Sequence, residues 1–257
     1  MQTENFKNFF FVYGRYKQYD LVHSLEQETK LGRNIDLLLD FRELFKLIIA
    51  TPEIDKQDYK EVLEAINASI DCYIGEFKNE CLNLGLNKII DSNFNFSLFD
   101  AEFKDILSDF CVSCGDFRIV DRLSYTSTQS FRKDKEDRSV LTQALLEFNN
   151  ALSHLFVCVY NGTDTLNNIQ KAKNHLYRGT LDNYKMVFRM ALNEIRKKNK
   201  KLYKMFKDIR EYEFLKLGTN INEKTLVIKE ISKEPITIIQ AFQELYNLSF
   251  NQQKFAK

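Results

Sequence analysis

Only two prolines, Pro52 and Pro235, punctuate the 257 residues, and glycine occurs eight times. Proline removes a backbone donor and glycine carries the largest backbone entropy cost, so both are scarce inside long helices. Between the prolines, apolar residues return at three- and four-residue spacing, the period of a helix with one buried face. The chain therefore reads as mainly α: a multi-helix bundle with a C-terminal antiparallel helical hairpin and at most a small β element.

Residues 4–30 place Phe6, Phe9, Phe10, Tyr13, Tyr16 and Val22 at helical spacing, and Gly32-Arg33-Asn34 breaks the pattern. A dense apolar helix is expected over 35–50, ended by Thr51-Pro52-Glu53 because the residue before proline avoids the α region. Asp55 is a candidate cap for a helix running to about Leu84, with Tyr59, Val62, Leu63, Ile66, Ile70, Tyr73, Ile74 and Phe77 on its apolar face. Residues 85–97 read as a loop and 98–111 as a short helix. The Gly-, Ser- and Thr-containing stretch 112–131 reads as a linker or irregular segment. It separates an N-terminal helical region, 1–111, from a C-terminal one, 132–257. Helical pattern resumes over 134–160 and again over 165–216, with Gly179 a candidate kink and Gly218 a candidate stop. Thr225-Leu226-Val227-Ile228 carries the best strand signal, and Pro235 opens a last helix.

Charge and cysteine content narrow the class further. The balance of 28 % charged and 44 % apolar residues is that of a globular protein, not a disordered one. The net charge of +1 hides an asymmetry. Glu53 to Asp109 holds thirteen acids and five bases, a net of −8, whereas Lys171 to Arg210 holds thirteen bases and three acids, a net of +10. Such a split marks either a polyanion-binding face or two parts of one protein that attract each other. No secretory pattern and no run long enough to span a membrane is visible. The odd set of five cysteines (Cys72, Cys81, Cys111, Cys114, Cys158) then suggests reduced thiols in a cytoplasm.

Two polar triplets are symmetrically placed about the clearest turn, Asn161-Gly162-Thr163-Asp164-Thr165. Glu147, Asn150 and His154 precede it, and His175, Arg178 and Asp182 follow. Each triplet steps by three or four residues and so shares one helix face. Folded back antiparallel, the helices pair His154 with His175, Asn150 with Arg178 and Glu147 with Asp182. Two imidazoles, two carboxylates, an amide and a guanidinium in one line suit an anion, a phosphodiester or a metal, or form a polar network that fixes helix register. Cys158, one turn beyond His154, adds a conceivable thiolate, although zinc ligands are usually spaced more tightly.

The stretch Asn149-Asn150-Ala151-Leu152-Ser153-His154 resembles the motif region of HEPN domains, helical bundles common in prokaryotic conflict systems. Active HEPN ribonucleases carry an Arg, a polar residue beside it, and a His five positions after the Arg. Asn150 matches the polar position and His154 the His. Asn149 stands where the Arg should be, so the resemblance, over about residues 134–216, implies a HEPN-like module that is not a competent nuclease.

Arg196-Lys197-Lys198-Asn199-Lys200-Lys201, followed by Lys204 and Lys207, is a helical basic run fit to lie along a phosphate backbone or to remain a solvated face. Leu202, Met205, Phe206 and Ile209 supply an apolar strip on the same helix, and Tyr203 is the aromatic left for stacking. Cys111 and Cys114 form a lone CxxC, weak evidence for zinc without a second pair. His23 stands alone on an aromatic helix. There is no phosphate-binding glycine loop, nucleophile elbow or HExxH. The reading is of a cytoplasmic, prokaryotic-type accessory protein that contacts RNA or another nucleic acid through the basic helix, with no cofactor and no assigned metal. A protein–protein interaction or structural module is the alternative, and a metal-dependent enzyme built on the His and carboxylate cluster is a second.

Overall fold

The computed structural model describes residues 2–26, 34–50, 56–75, 81–90, 94–124, 130–133, 136–216, 224–228 and 231–251. It is a mainly α protein with one small β-hairpin among the described residues. Nine α-helices run α1 (Gln2–Glu26), α2 (Ile35–Ala50), α3 (Lys56–Ile74), α4 (Asn87–Ile90), α5 (Ala101–Ser124), α6 (Thr142–Asn161), α7 (Thr165–Lys198), α8 (Lys200–Leu215) and α9 (Ile238–Tyr246) among the described residues. Strands β1 (Ser130–Lys133) and β2 (Glu136–Leu141) pair antiparallel between α5 and α6, with an irregular step between Phe131 and Lys133. No described helix is long and apolar enough to cross a membrane.

The chain divides into two compact units, each assembled from two stretches: Met1–Phe110 with Thr142–Gly179, and Cys111–Leu141 with Thr180–Lys257. This is not the division at 112–131 expected from the sequence. Residues 112–124 are helical and continue α5. Gly115 and the nearby serines looked like loop formers, but Phe110, Phe117 and Val120 keep helical spacing and are buried, and burial overrides the local propensity.

The first unit is organised around aromatic rings. Phe6, Phe9, Phe10, Tyr13 and Tyr16 of α1 are all fully buried, as are Phe41 of α2, Phe103 of α5 and Phe148 of α6. Phe6 meets Phe10 edge-on at 4.7 Å and Phe99 at 4.9 Å; Phe99 in turn meets Phe103 at 4.7 Å. Edge-on pairs of this kind add roughly 0.5–1.5 kcal/mol each beyond the area they bury. A polar cluster sits beside them. Lys17 pairs with Asp20 at 2.7 Å, and Asn34 donates to both the Tyr16 hydroxyl (2.8 Å) and Asp20 (3.0 Å), all buried.

In the second unit, Asn183 of α7 donates to Ser113 Oγ at 3.0 Å and Cys114 Sγ at 3.3 Å, and the Tyr184 hydroxyl donates to Asp116 at 2.9 Å. Burial raises the Asp116 carboxyl pKa. Phe188 packs against Phe206 (5.6 Å) and Phe242 (6.0 Å), joining α7, α8 and α9. Thr237 opens α9 with a reciprocal capping box, its side chain on the Gln240 N–H and the Gln240 side chain on its own N–H.

Other boundaries differ from the sequence reading. α3 stops at Ile74, ahead of Gly75, and Val62 on its expected apolar face is 39 % exposed. The expected loop at 85–97 contains the one-turn α4 and a 3-10 turn, Phe96–Leu98, capped by Asn95. The strand signal at 225–228 yields one isolated bridge, Leu226 to Ile236. Thr51-Pro52-Glu53, Asp55, Phe77 and Gly218 lie outside the described residues.

Residues 165–216 form two helices, but the break is at Asn199, not Gly179. Asn199 leaves helical geometry (φ −146°, ψ 89°) and its side chain accepts from the Lys201 and Leu202 N–H groups, starting α8 afresh. Gly179 has a packing role. A Cβ there would lie 2.7 Å from Cε2 of the fully buried Phe110 ring, which stacks on Phe148. Gly115, also helical, has open space around the same position. Opposite effects are expected. Gly115→Ala should stabilise by up to about 1 kcal/mol through helix propensity. In Gly179→Ala that gain is outweighed by an overpacking cost of about 1–3 kcal/mol. Thermal melts of the two variants check this: the first Tm rises, the second falls.

Candidate functional site

α6 and α7 form the expected antiparallel pair. The connecting turn is built on two left-handed residues, Gly162 (φ 63°) and Asp164 (φ 49°). The Gly162 N–H closes the end of α6 on the Cys158 carbonyl at 3.1 Å. Across this hairpin His154 and His175 stack, ring centroids 5.2 Å apart and planes 21° from parallel.

The other two expected pairs do not form. Glu147 bonds His175, Nδ1 to Oε2 at 2.6 Å, rather than lining up with Asp182. Gly179 lies beside this contact, with its Cβ position 3.4 Å from Glu147 Cβ. Asp182 pairs with Lys185 on its own helix at 2.9 Å. Asn150 and Arg178 are both exposed, and among the described residues neither bonds to the histidine pair. The site is thus Glu147, His154 and His175, joined by Asn168, which sequence reasoning missed. Asn168 offered no signal beyond being a polar residue in the first turn of α7.

The network fixes the proton positions. Asn168 Nδ2 donates to the Asp164 carbonyl (3.2 Å), so its Oδ1 accepts from His154 Nδ1–H (3.1 Å). Glu147 likewise takes His175 Nδ1–H, and Gln143 donates to its other oxygen at 3.3 Å. Neither ring has a buried nitrogen lacking a partner, so both Nε2 atoms open to solvent. The His154 pKa is lowered, first by burial and then by the neighbouring His175 and Lys171, against the bond from Asn168. A carboxylate-oriented imidazole with an open Nε2 is an acid–base group. Among the described residues no hydroxyl or thiol is bonded to either ring. Cys158, whose thiol burial pushes up to about 11, donates to the His154 and Thr165 carbonyls instead.

The geometry gives no support to chelation. Nearly parallel rings hold their Nε2 lone pairs in nearly parallel planes, whereas two ligands of one ion must converge on it. Among the described residues no three His, Cys, Asp or Glu side chains are grouped to hold a metal. Cys111 and Cys114 lie one turn apart on α5, and all five cysteines are unbridged. His23 is a buried residue of α1. Asn149, at the position of the HEPN arginine, accepts from the Tyr13 hydroxyl at 2.8 Å and so serves packing between α1 and α6.

The basic run forms the junction of α7 and α8. Arg196, Lys197, Lys198, Lys200, Lys201, Lys204 and Lys207 are all exposed. Lys198 pairs with Glu194 (3.1 Å) and Lys204 with Asp208 (2.6 Å), one turn away in each case. Lys197, Lys200 and Lys201 have no ion-pair partner among the described residues. Arg196 and Lys207 both approach the half-buried Tyr203 ring, at 5.9 and 5.7 Å from its centroid. Met205 and Ile209 turn inward and are buried, while Leu202 and Phe206 of the expected apolar strip are half-buried.

His154 makes a pH prediction. Its folded-state pKa lies below the ordinary value near 6.5, so the unfolded chain binds more protons through the window below that value, and stability falls as pH is lowered through it. Denaturant midpoints measured from pH 7.5 to 5 should decline, and His154→Gln should make that decline shallower. Parallel curves for the two proteins would contradict the assignment. No protein-family model, curated protein or solved structure matches the chain.

Proposed function

We propose that the chain is an accessory protein that binds RNA or another nucleic acid through the basic junction of α7 and α8. One observation carries this reading. Lys200 and Lys201 occupy the first turn of α8, where the helix dipole is positive and cations are unfavourable by roughly 0.3–1 kcal/mol each. Arg196, Lys197 and Lys198 complete the cluster from the last turn of α7, where the dipole favours them. A chain that keeps unpaired lysines against a positive helix end gains from a polyanion placed there. Local rules broken without internal compensation are expected at functional sites.

The HEPN resemblance belongs to this proposal as a likeness of the α6–α7 hairpin. His154 keeps the motif position, while Asn149 is engaged by Tyr13, which supports a module without nuclease activity. A cytoplasmic setting accords with the five unbridged thiols. A protein-binding role is the second reading. It rests on Phe214 and Leu215 at the end of α8, 71 % and 70 % exposed, beside an open groove lined by Leu215, Tyr212 and Val227.

Binding to a labelled RNA across a salt series tests the proposal. Each neutralised phosphate releases counterions, so log affinity should fall with log salt by roughly 0.7–0.9 per contact. Replacing Lys197, Lys200 and Lys201 together with Gln should flatten that slope by about two to three contacts' worth and weaken binding equally for all sequences. The melting temperature should hold or rise, because two cations leave a positive helix end. Absence of binding at low salt, or an unchanged slope in the variant, moves the protein-binding reading ahead.

A further inference from the structure

We infer that the α7–α8 junction selects single-stranded over duplex nucleic acid, with Tyr203 as the platform on which one unpaired base stacks. The inference rests on the nucleic-acid reading of the same junction. The basic cluster holds two aromatic rings, and Phe206 packs against Phe188 of α7, which leaves Tyr203 as the ring beside the charges. Tyr203 is the fourth residue of α8, half-buried, with the Arg196 guanidinium 5.9 Å and the Lys207 ammonium 5.7 Å from its ring centroid. The two cations come from different helices: Arg196 from the end of α7, and Lys207 from one turn further along α8. Cations from two helices thus lie close to one aromatic ring.

A single strand offers the complementary arrangement, a flat base with a phosphate on either side along the backbone. In a duplex each base is stacked between its neighbours and offers no free face. Phosphate contacts to Lys197, Lys200 and Lys201 are available to both forms, whereas contact with the ring is available to the single strand alone. Arg196 is suited to a double role. Its planar guanidinium already lies near the ring, so it can stack on the far face of a base or grip the adjacent phosphate. Lys207 supplies charge without a plane, and its contact with the ring yields to a base at little cost, since exposed cation–π contacts are weak.

The test compares one oligonucleotide of mixed sequence as a single strand and as its duplex, with 2-aminopurine at a central position. Wild-type protein should bind the single strand more tightly and quench the 2-aminopurine signal. Tyr203→Ala and Tyr203→Leu should weaken single-strand binding by about tenfold, abolish the quench, and leave duplex affinity and the salt slope unchanged. Tyr203→Phe should behave as wild type. The leucine variant preserves apolar bulk, so a loss it shares with alanine reports the π-face and not a packing defect. Equal affinity for both forms, or a leucine variant that keeps both affinity and quench, overturns the inference while leaving the charge-based proposal standing. Failure of the wild-type protein to bind either form overturns both.

Discussion

The unbroken helix α7 is the constraint on which the rest depends. It runs 34 residues, a length of roughly 51 Å at 1.5 Å per residue, and is shared by both compact units. In a folded protein a helix draws most of its stability from packing an amphipathic face, and α7 has a continuous buried stripe. Ala172, Leu176, Thr180, Tyr184, Val187 and Phe188 supply it, all with no measurable exposure and at three- to four-residue spacing without a slip in phase. The stripe passes through Gly179 unchanged, because the missing side chain there is filled by the Phe110 ring.

The same glycine lies beside the histidine site: its Cβ position is 3.4 Å from Glu147 Cβ, so α6 and α7 approach closely where Glu147 bonds His175. The stacked histidines are therefore a consequence of close helix packing as much as of their own placement. Their chemistry is that of an oriented acid–base pair open to solvent, with no bonded nucleophile and no converging metal ligands among the described residues. At the other end of α7 the helix stops because Asn199 offers its side chain to the N–H groups of the next helix, and that break brings two turns of opposite dipole and like charge together.

The sequence disclosed what depends on period and on turn chemistry. The hairpin, its Gly162 turn and the facing of His154 and His175 follow from spacing alone, as do the aromatic face of α1 and the buried α2. What it withheld depends on side-chain length and on packing. Equal spacing about a turn pairs Cα positions, but Glu147 bonds by the reach of its side chain, so Asp182 was misplaced and Asn168 overlooked. Glycine and serine near Cys111 resembled a linker because propensity is a weak prior against the burial of Phe117 and Val120. Gly179 is a candidate kink by composition, but the capping capacity of Asn199 decides where the helix breaks. Nor does the linear charge count separate the lysines that are answered by acids, such as Lys173 with Asp100, from those at the junction that are not.

The central claim is that the charged junction of α7 and α8, and not the histidine pair, is where this protein meets a nucleic acid. Amide chemical shifts of the isotope-labelled protein, followed while a short single-stranded RNA is added, test it most directly. The account predicts the largest changes over Arg196 to Lys207, with His154 and His175 little affected. Changes centred on His154 and His175, or none at saturating RNA, would contradict it.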